Sequence, residues 1–373
     1  MREGWEYKKF ESCIVKSPKI KQIKKEAYGN GSRYPIISQE DKFISGYCDD
    51  EAMVYHIDRP IIVFGDHTRV LKYIDFDFAV GADGVKIIIP TKNIESKFLL
   101  YYLQWYNIPN LGYSRHYKLL KEILVPIPYH TTQLSIVSEL DKLNELIRIK
   151  KEQLKDYDAL AQSIFYEMFG DPVENEKGWE VKALGDLCSK IGSGATPRGG
   201  NESYKDEGIS LIRSLNVYNN EFRRKDLAYI DDEQAAALSN VTLLENDVLL
   251  NITGASVARC CIVPSDLLPA RVNQHVCIIR PLDNVLVPIF LNKVLTNISY
   301  QIRLLALARS KGATREALPK SIVDSLLVLL PPLSLQQSFA QKIEQIEQQK
   351  AAIQKTITDL ETLLAARMQY WFD

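Results

Sequence analysis

Residues 123–128 read Ile-Leu-Val-Pro-Ile-Pro and lead through Gln133 into a leucine-rich stretch that closes on Phe165-Tyr-Glu-Met-Phe169. Residues 326–331 read Leu-Leu-Val-Leu-Leu-Pro and lead through Gln336 into a second such stretch that closes on Met368-Gln-Tyr-Trp-Phe372. The copies keep one offset, since 336 − 133 and 372 − 169 both equal 203. In the first, Ile136, Leu140, Leu143, Ile147, Leu154, Tyr157, Ala161, Ile164 and Met168 advance in steps of four and three, interrupted by Lys150. In the second, Phe339, Ile343, Ile346, Ile353, Ile357, Leu360, Leu364 and Trp371 do the same, interrupted by Lys350 and Arg367. A sustained period of about 3.5 residues makes two helices wind around each other, and a polar residue in the seam sets their register. About 36 residues per helix, at 1.5 Å each, give a rod of roughly 55 Å.

Gly4-Trp5-Glu6 recurs as Gly178-Trp179-Glu180, just after the first helix. An antiparallel helix pair returns the chain from Phe372 to the neighbourhood of Gly4, whereas a parallel pair needs a long return path. The chain therefore reads as a duplicated domain-plus-helix unit with an approximate two-fold axis.

The segments between the helices share one order. Tyr34–Ile37, Pro60–Phe64, Phe76–Val80 and Val85–Ile89 are β-branched or aromatic runs bounded by turn residues, followed by a helix near 95–106. Ile209–Ile212, Asp247–Leu250 and Val276–Ile279 repeat the pattern ahead of a helix over about 287–307. The predicted class is α+β: two globular domains joined by two long antiparallel coiled-coil helices in a pseudo-two-fold circular arrangement. The predicted segments are domain 1 over 1–126, the first helix over 127–171, domain 2 over 172–327 and the second helix over 328–373.

With 373 residues, 46% of them hydrophobic, the chain can fill two or three cores. Its 46 Lys and Arg nearly cancel 47 Asp and Glu, so a nucleic-acid partner has to be argued from local patches. Six cysteines without a C-x-x-C pair point to buried reduced thiols, and the five histidines lack metal-ligand spacing, so no metal site is expected. Met1-Arg-Glu-Gly-Trp5 lacks a signal-peptide core and no apolar run approaches a span, which predicts a cytoplasmic protein.

This arrangement resembles the specificity subunit of type I restriction-modification systems, and the resemblance covers essentially the whole chain. The most specific match is Ile191-Gly-Ser-Gly-Ala-Thr-Pro197 with Tyr204 and Gly208-Ile-Ser-Leu-Ile212; Tyr34–Gln39 and Ile44–Tyr47 match in the first domain. The first domain departs from the pattern: a lysine-rich stretch stands where a glycine-threonine-proline turn is expected. The resemblance implies a non-catalytic reader of double-stranded DNA with a target-recognition domain for each half of an asymmetric, bipartite target. It implies two modification (methyltransferase) subunits and restriction (translocase-nuclease) subunits as partners. No cofactor is expected in this chain, with S-adenosylmethionine and ATP/Mg on the partner subunits.

The residues themselves fit a reader. Gly192-Ser-Gly194 lacks the spacing of a nucleotide loop, and neither a P-loop nor an Asn/Asp-Pro-Pro-aromatic methyltransfer motif occurs. Phosphate contacts need Lys or Arg, and base contacts favour Arg for guanine and Asn or Gln for adenine. Lys16, Lys19, Lys21, Lys24 and Lys25 form an acid-free run that is either a backbone grip or a solvated loop, and Arg33 lies beyond it. Arg198, Arg213, Ser214 and Asn216 follow the turn or a strand exit of the second domain, where Arg213 could equally close an ion pair. Arg115 and His116 match the place of Arg309, Lys311 and Arg315, and His67 with Arg69 match the turn at Thr253–Ser256. Tyr166, Phe169, Tyr370 and Trp371 at the helix ends serve either as partner-interface anchors or as core of the adjoining domain. The rival readings are a coiled-coil scaffold that binds proteins and not DNA, and a stand-alone methyltransferase or nuclease. Sequence-dependent methylation alongside a modification subunit separates the first, and adenosylmethionine binding by the isolated chain would support the second.

Overall fold

The structure, a computed structural model, describes residues 2–17, 20–31, 33–82, 84–112, 114–309 and 316–373. It comprises two compact units, Met1–Glu152 with Ile353–Asp373, and Gln153–Ala352. The long helices are His130–Phe169 and Leu333–Phe372, 40 residues each. The turn beyond the expected length precedes Gln133 and Gln336. Each helix contributes one half to each unit, so the unit boundaries fall inside the helices and not at the four segment ends expected above. The reason is packing: Ile136, Val137, Leu140 and Phe372 belong to the core of the first unit. Phe165, Phe169, Phe339, Ile343 and Ile346 belong to that of the second.

Within each unit the helix halves run antiparallel. In the first, Lys151 pairs with Glu361 at 2.7 Å, and twelve positions earlier Glu139 accepts from Arg367 Nη2 at 3.1 Å and from Trp371 Nε1 at 3.0 Å. The Arg367 guanidinium bonded to Glu139 holds its carboxyl below the usual glutamate range. In the second, Lys350 pairs with Asp158 at 2.8 Å and Phe165 meets Phe339 at 5.7 Å between ring centroids. Lys350, the polar break in the seam, is thus an ion-pair residue that fixes register.

Both units carry a four-stranded antiparallel sheet with one strand order. In the first it is Ile14–Val15, Val85–Pro90, Ile61–Gly65, Leu71–Ile74; in the second, Cys188–Ser193, Val276–Pro281, Val248–Asn251, Cys260–Ile262. A second sheet in each is built on a parallel pair, Tyr34–Ile37 beside Phe78–Gly81 and Ile209–Ile212 beside Ala270–Val272. The helix closing each unit is Ser96–Tyr106 or Pro288–Thr296. The helix expected over 287–307 breaks at Asn297, whose Oδ1 accepts from Ser299 N at 2.9 Å and so caps a new helix, Ile298–Arg309.

Gln133 and Gln336 explain why the repeat keeps a glutamine. Gln133 is fully buried; its Oε1 accepts from Glu95 N at 2.8 Å, and its Nε2 donates to Asn93 O and Pro128 O, both at 3.0 Å. Gln336, also fully buried, accepts from Val287 N at 2.9 Å and donates to Val285 O and Pro331 O at 3.3 and 2.8 Å. Glu95 and Val287 precede the closing helices and neither makes a side-chain cap. The long helix supplies the cap by bonding the N-cap backbone N–H.

The six cysteines are unpaired, and burial pushes the Cys188, Cys261 and Cys277 thiols up to about 12. Among the described residues no group of three or more His, Cys, Asp or Glu could hold a metal ion, and no helix is long and apolar enough to cross a membrane.

Candidate nucleic-acid interface

In the second unit several loops meet at the end of the four-stranded sheet marked by Ser193, Asn251 and Val276. Gly194 opens the glycine-threonine-proline turn, with its N–H on Val276 O at 2.9 Å. A Cβ there would stand 2.1 Å from Val272 O, so only glycine lets the chain pass and bring Thr196 to Gln274. Beside it lies an open groove of about 540 Å³ lined by Ser214, Tyr218, Thr253, Ser256, Arg259 and His275 among others. The Tyr218 ring is flanked by the Arg223 and Arg259 guanidinium carbons at 3.5 and 4.2 Å from its centroid. Arg223 is neutralised by Glu221 at 2.9 Å. Arg259 makes no ion pair among the described residues, while Glu316, which also lines the groove, is taken up by Arg309 at 2.7 Å.

The sequence-derived candidates of this domain divide. Arg198 is exposed and Ser214 lines the groove. Arg213 is half-buried: its Nη2 donates to Asp226 O and its guanidinium lies 5.5 Å from the Tyr204 ring centroid. Asn216 is withdrawn as a base reader. It is fully buried, accepts from Arg213 N at 3.0 Å, and donates to Arg223 O and Lys225 O at 2.8 and 3.1 Å, so it closes its own turn. Arg309 is exposed but paired with Glu316 at 2.7 Å. Lys311 and Arg315 lie outside the described residues.

In the first unit Lys16, Lys21 and Lys24 are exposed, Lys25 pairs with Glu40 at 2.6 Å, and Lys19 lies outside the described residues. Arg33 faces Glu51 at 3.6 Å and stands 5.1 Å from the Tyr34 ring centroid. His67 is half-buried, with its N–H on Gln39 Oε1 at 3.1 Å. Arg69 donates from Nη1 to Ile108 O at 2.8 Å and takes a left-handed φ of 64°. Ala258, at φ 71°, occupies the matching place: Arg69 N bonds Gly65 O and Ala258 N bonds Asn251 O, each at 2.8 Å. These bonds set Arg69 opposite Ala258, two residues beyond the turn Thr253–Ser256 expected to match it, because the loop of the second unit is three residues longer; Arg259 follows Ala258.

Arg115 is exposed. His116 is withdrawn as a DNA contact because it is fully buried: Leu111 N donates to its Nε2 at 3.0 Å, which leaves Nδ1–H to donate to Asp66 O at 2.9 Å. The N–H of His116 bonds Asp66 O as that of Leu318 bonds Ile252 O, both at 2.8 Å, so the imidazole takes the place of a core leucine. Phe169 is likewise withdrawn as an interface anchor; it is fully buried against Phe290 and Phe339 at 4.7 and 5.2 Å. Tyr166 is half-buried near Asn297, and Trp371 is tied to Glu139. Tyr370 is 53% exposed, with Arg2 and Arg367 on its ring.

Sequence reasoning missed Gln39, Lys86, Arg259, Gln274 and His275. Lys86 lines a smaller groove of about 270 Å³ with Ser17, Gln22 and Tyr117, 3.8 Å from Asp66. The signal for Gln274 and His275 was a polar pair directly before a buried strand. Register with the neighbouring strand makes His275 the counterpart of Gly84 and Cys277 that of Lys86.

The family model for the type I restriction modification DNA specificity domain matches residues 176–362. The specificity subunit of the type I restriction enzyme EcoR124I/EcoR124II of Escherichia coli is 22% identical over 341 residues, covering 87% of this chain and 82% of that protein. The MjaIX specificity subunit of Methanocaldococcus jannaschii is 24% identical, covering 75% and 69%. Among solved structures, a type I S subunit from M. genitalium superposes with a TM-score of 0.58 at 14% identity, over 99% of this chain and 96% of that one. A chain from a structural study of type I R-M complex assembly and conformational transition gives 0.59 at 15%, over 100% and 98%. At these identities the structural likeness speaks for the fold.

Proposed function

The chain belongs to the type I restriction-modification DNA specificity family, whose role is recognition of a DNA sequence, and from that premise we propose that its two domains read different halves of a split, non-palindromic target. The observation that carries this reading is a shared framework with unlike residues at equal places. Gly84 stands for His275, Lys86 for Cys277 and Val70 for Arg259. One frame with two contact sets suits two different half-sites. In this reading the chain does no chemistry. Two modification subunits bring S-adenosylmethionine and methylate adenine, and restriction subunits bring ATP and Mg²⁺ to cut unmodified DNA.

Co-expression with the modification subunits, followed by genome-wide mapping of methylated adenine, should return one motif in two parts with a fixed gap. An active partner with no modified motif overturns the proposal. Arg259, a groove cation without an ion pair among the described residues, is assigned to a phosphate. Arg259→Ala should weaken binding about equally for all sequences and flatten the slope of log K against log salt by about 0.9, as measured by titration at several salt concentrations. An unchanged slope would remove Arg259 from the DNA backbone.

A further inference from the structure

Gln274 is exposed, yet its carboxamide is held at both ends. Thr196 Oγ1 bonds Oε1, Nε2 lies 3.1 Å from His275 Nε2, and His275 Nδ1 lies 2.6 Å from Thr253 Oγ1. A carboxamide has two acceptor sites on oxygen and two donor hydrogens on nitrogen. Thr196 and His275 use one of each. One acceptor and one donor therefore remain, and exchanging the amide O and N, with the imidazole and hydroxyl protons following, leaves the same count. The side chain is held by two residues, Thr196 from the turn and its neighbour His275, which Thr253 holds in turn, beside the groove that holds Arg259.

We propose that Gln274, positioned by Thr196 and His275, reads one adenine of the half-site of the second domain. Adenine presents an N6 donor beside the N7 acceptor in the major groove, the complement of one acceptor and one donor on a single amide. Guanine presents two acceptors there, cytosine one donor, and thymine one acceptor with a methyl group; each satisfies at most half of the amide. Holding the amide before DNA arrives removes most of the rotamer cost of ordering a glutamine on binding. Thr196 and His275 are positioning residues.

The inference rests on the DNA-reading role proposed above, and one experiment separates the two. The chain is purified in complex with its modification subunits and its binding is measured on duplexes that carry each base at each motif position. A wild-type complex with no base preference sinks the DNA-reading role itself. Given a wild-type motif, Gln274→Ala should lower discrimination at one A·T pair, in one half only, by about 10- to 100-fold. Gln274→Glu, which only accepts, should shift that position toward C·G. A base profile unchanged in both variants overturns the assignment, as does a uniform loss of affinity at every sequence. Gln274 packs in no core, so both complexes should form in wild-type yield, and a variant that fails to assemble also overturns it.

Discussion

Phe169→Ala is expected to destabilise the second unit by about 3–5 kcal/mol, the range for deleting a fully buried phenyl ring that its surroundings cannot refill. The ring sits among Phe165, Phe290, Phe339 and Trp179 at centroid distances of 5.4, 4.7, 5.2 and 6.5 Å. These neighbours come from both long helices, the closing helix and the Gly-Trp-Glu segment, so collapse into the gap has to move several elements at once. Trp179 donates from Nε1 to Phe169 O at 2.9 Å and serves as the reporter in urea unfolding of a variant that keeps it as the only tryptophan. The midpoint should fall with the slope unchanged. A loss below about 1 kcal/mol, with partner assembly impaired instead, would return Phe169 to the interface residues.

Gln336→Leu should cost about 3 kcal/mol although it keeps the shape of the side chain. It leaves Val287 N–H, Val285 O and Pro331 O without their partner, and a buried group stripped of its bond costs about 1–3 kcal/mol. Hydrogen exchange should show the first turn of Pro288–Thr296 opening before the rest of the unit. Gln133→Leu should act in the same way on Ser96–Tyr106 of the first unit. If either leucine variant unfolds at the wild-type midpoint, the glutamine is not the cap.

The residues that sequence reading placed well are those whose periodicity is itself the cause of their position. Every seam residue from Ile136 to Met168 and from Phe339 to Trp371 is buried or half-buried, because a helix repeats its contact face without help from the rest of the chain. Strand centres such as Tyr34–Ile37 and Ile209–Ile212 were also legible, since each is a short β-branched run between turn residues. The interface was less so. His116 and Asn216 look like surface polar residues in one dimension; His116 is buried because the backbone of Asp66, 50 positions away, meets it, and Asn216 because its own turn closes on it. The break at Asn297 depends on one side-chain cap inside an otherwise helical run. Gln274 gains meaning only when Thr196, 78 positions away, and His275 close on it.

The sharing of each long helix between two units bears on how the protein is made. The core of the first unit contains Phe372, whose ring meets Phe98, Tyr102 and Trp105 at 5.6, 5.6 and 5.8 Å. Residues 1–152 leave the ribosome without those last contacts and wait for roughly 200 more residues, about 10 to 40 s at typical elongation rates. Through that interval the aromatic face of Ser96–Tyr106 stays uncovered and available to chaperones. A product cut short before Phe372 keeps that face exposed, so the first unit completes its core only after all of the second has been made.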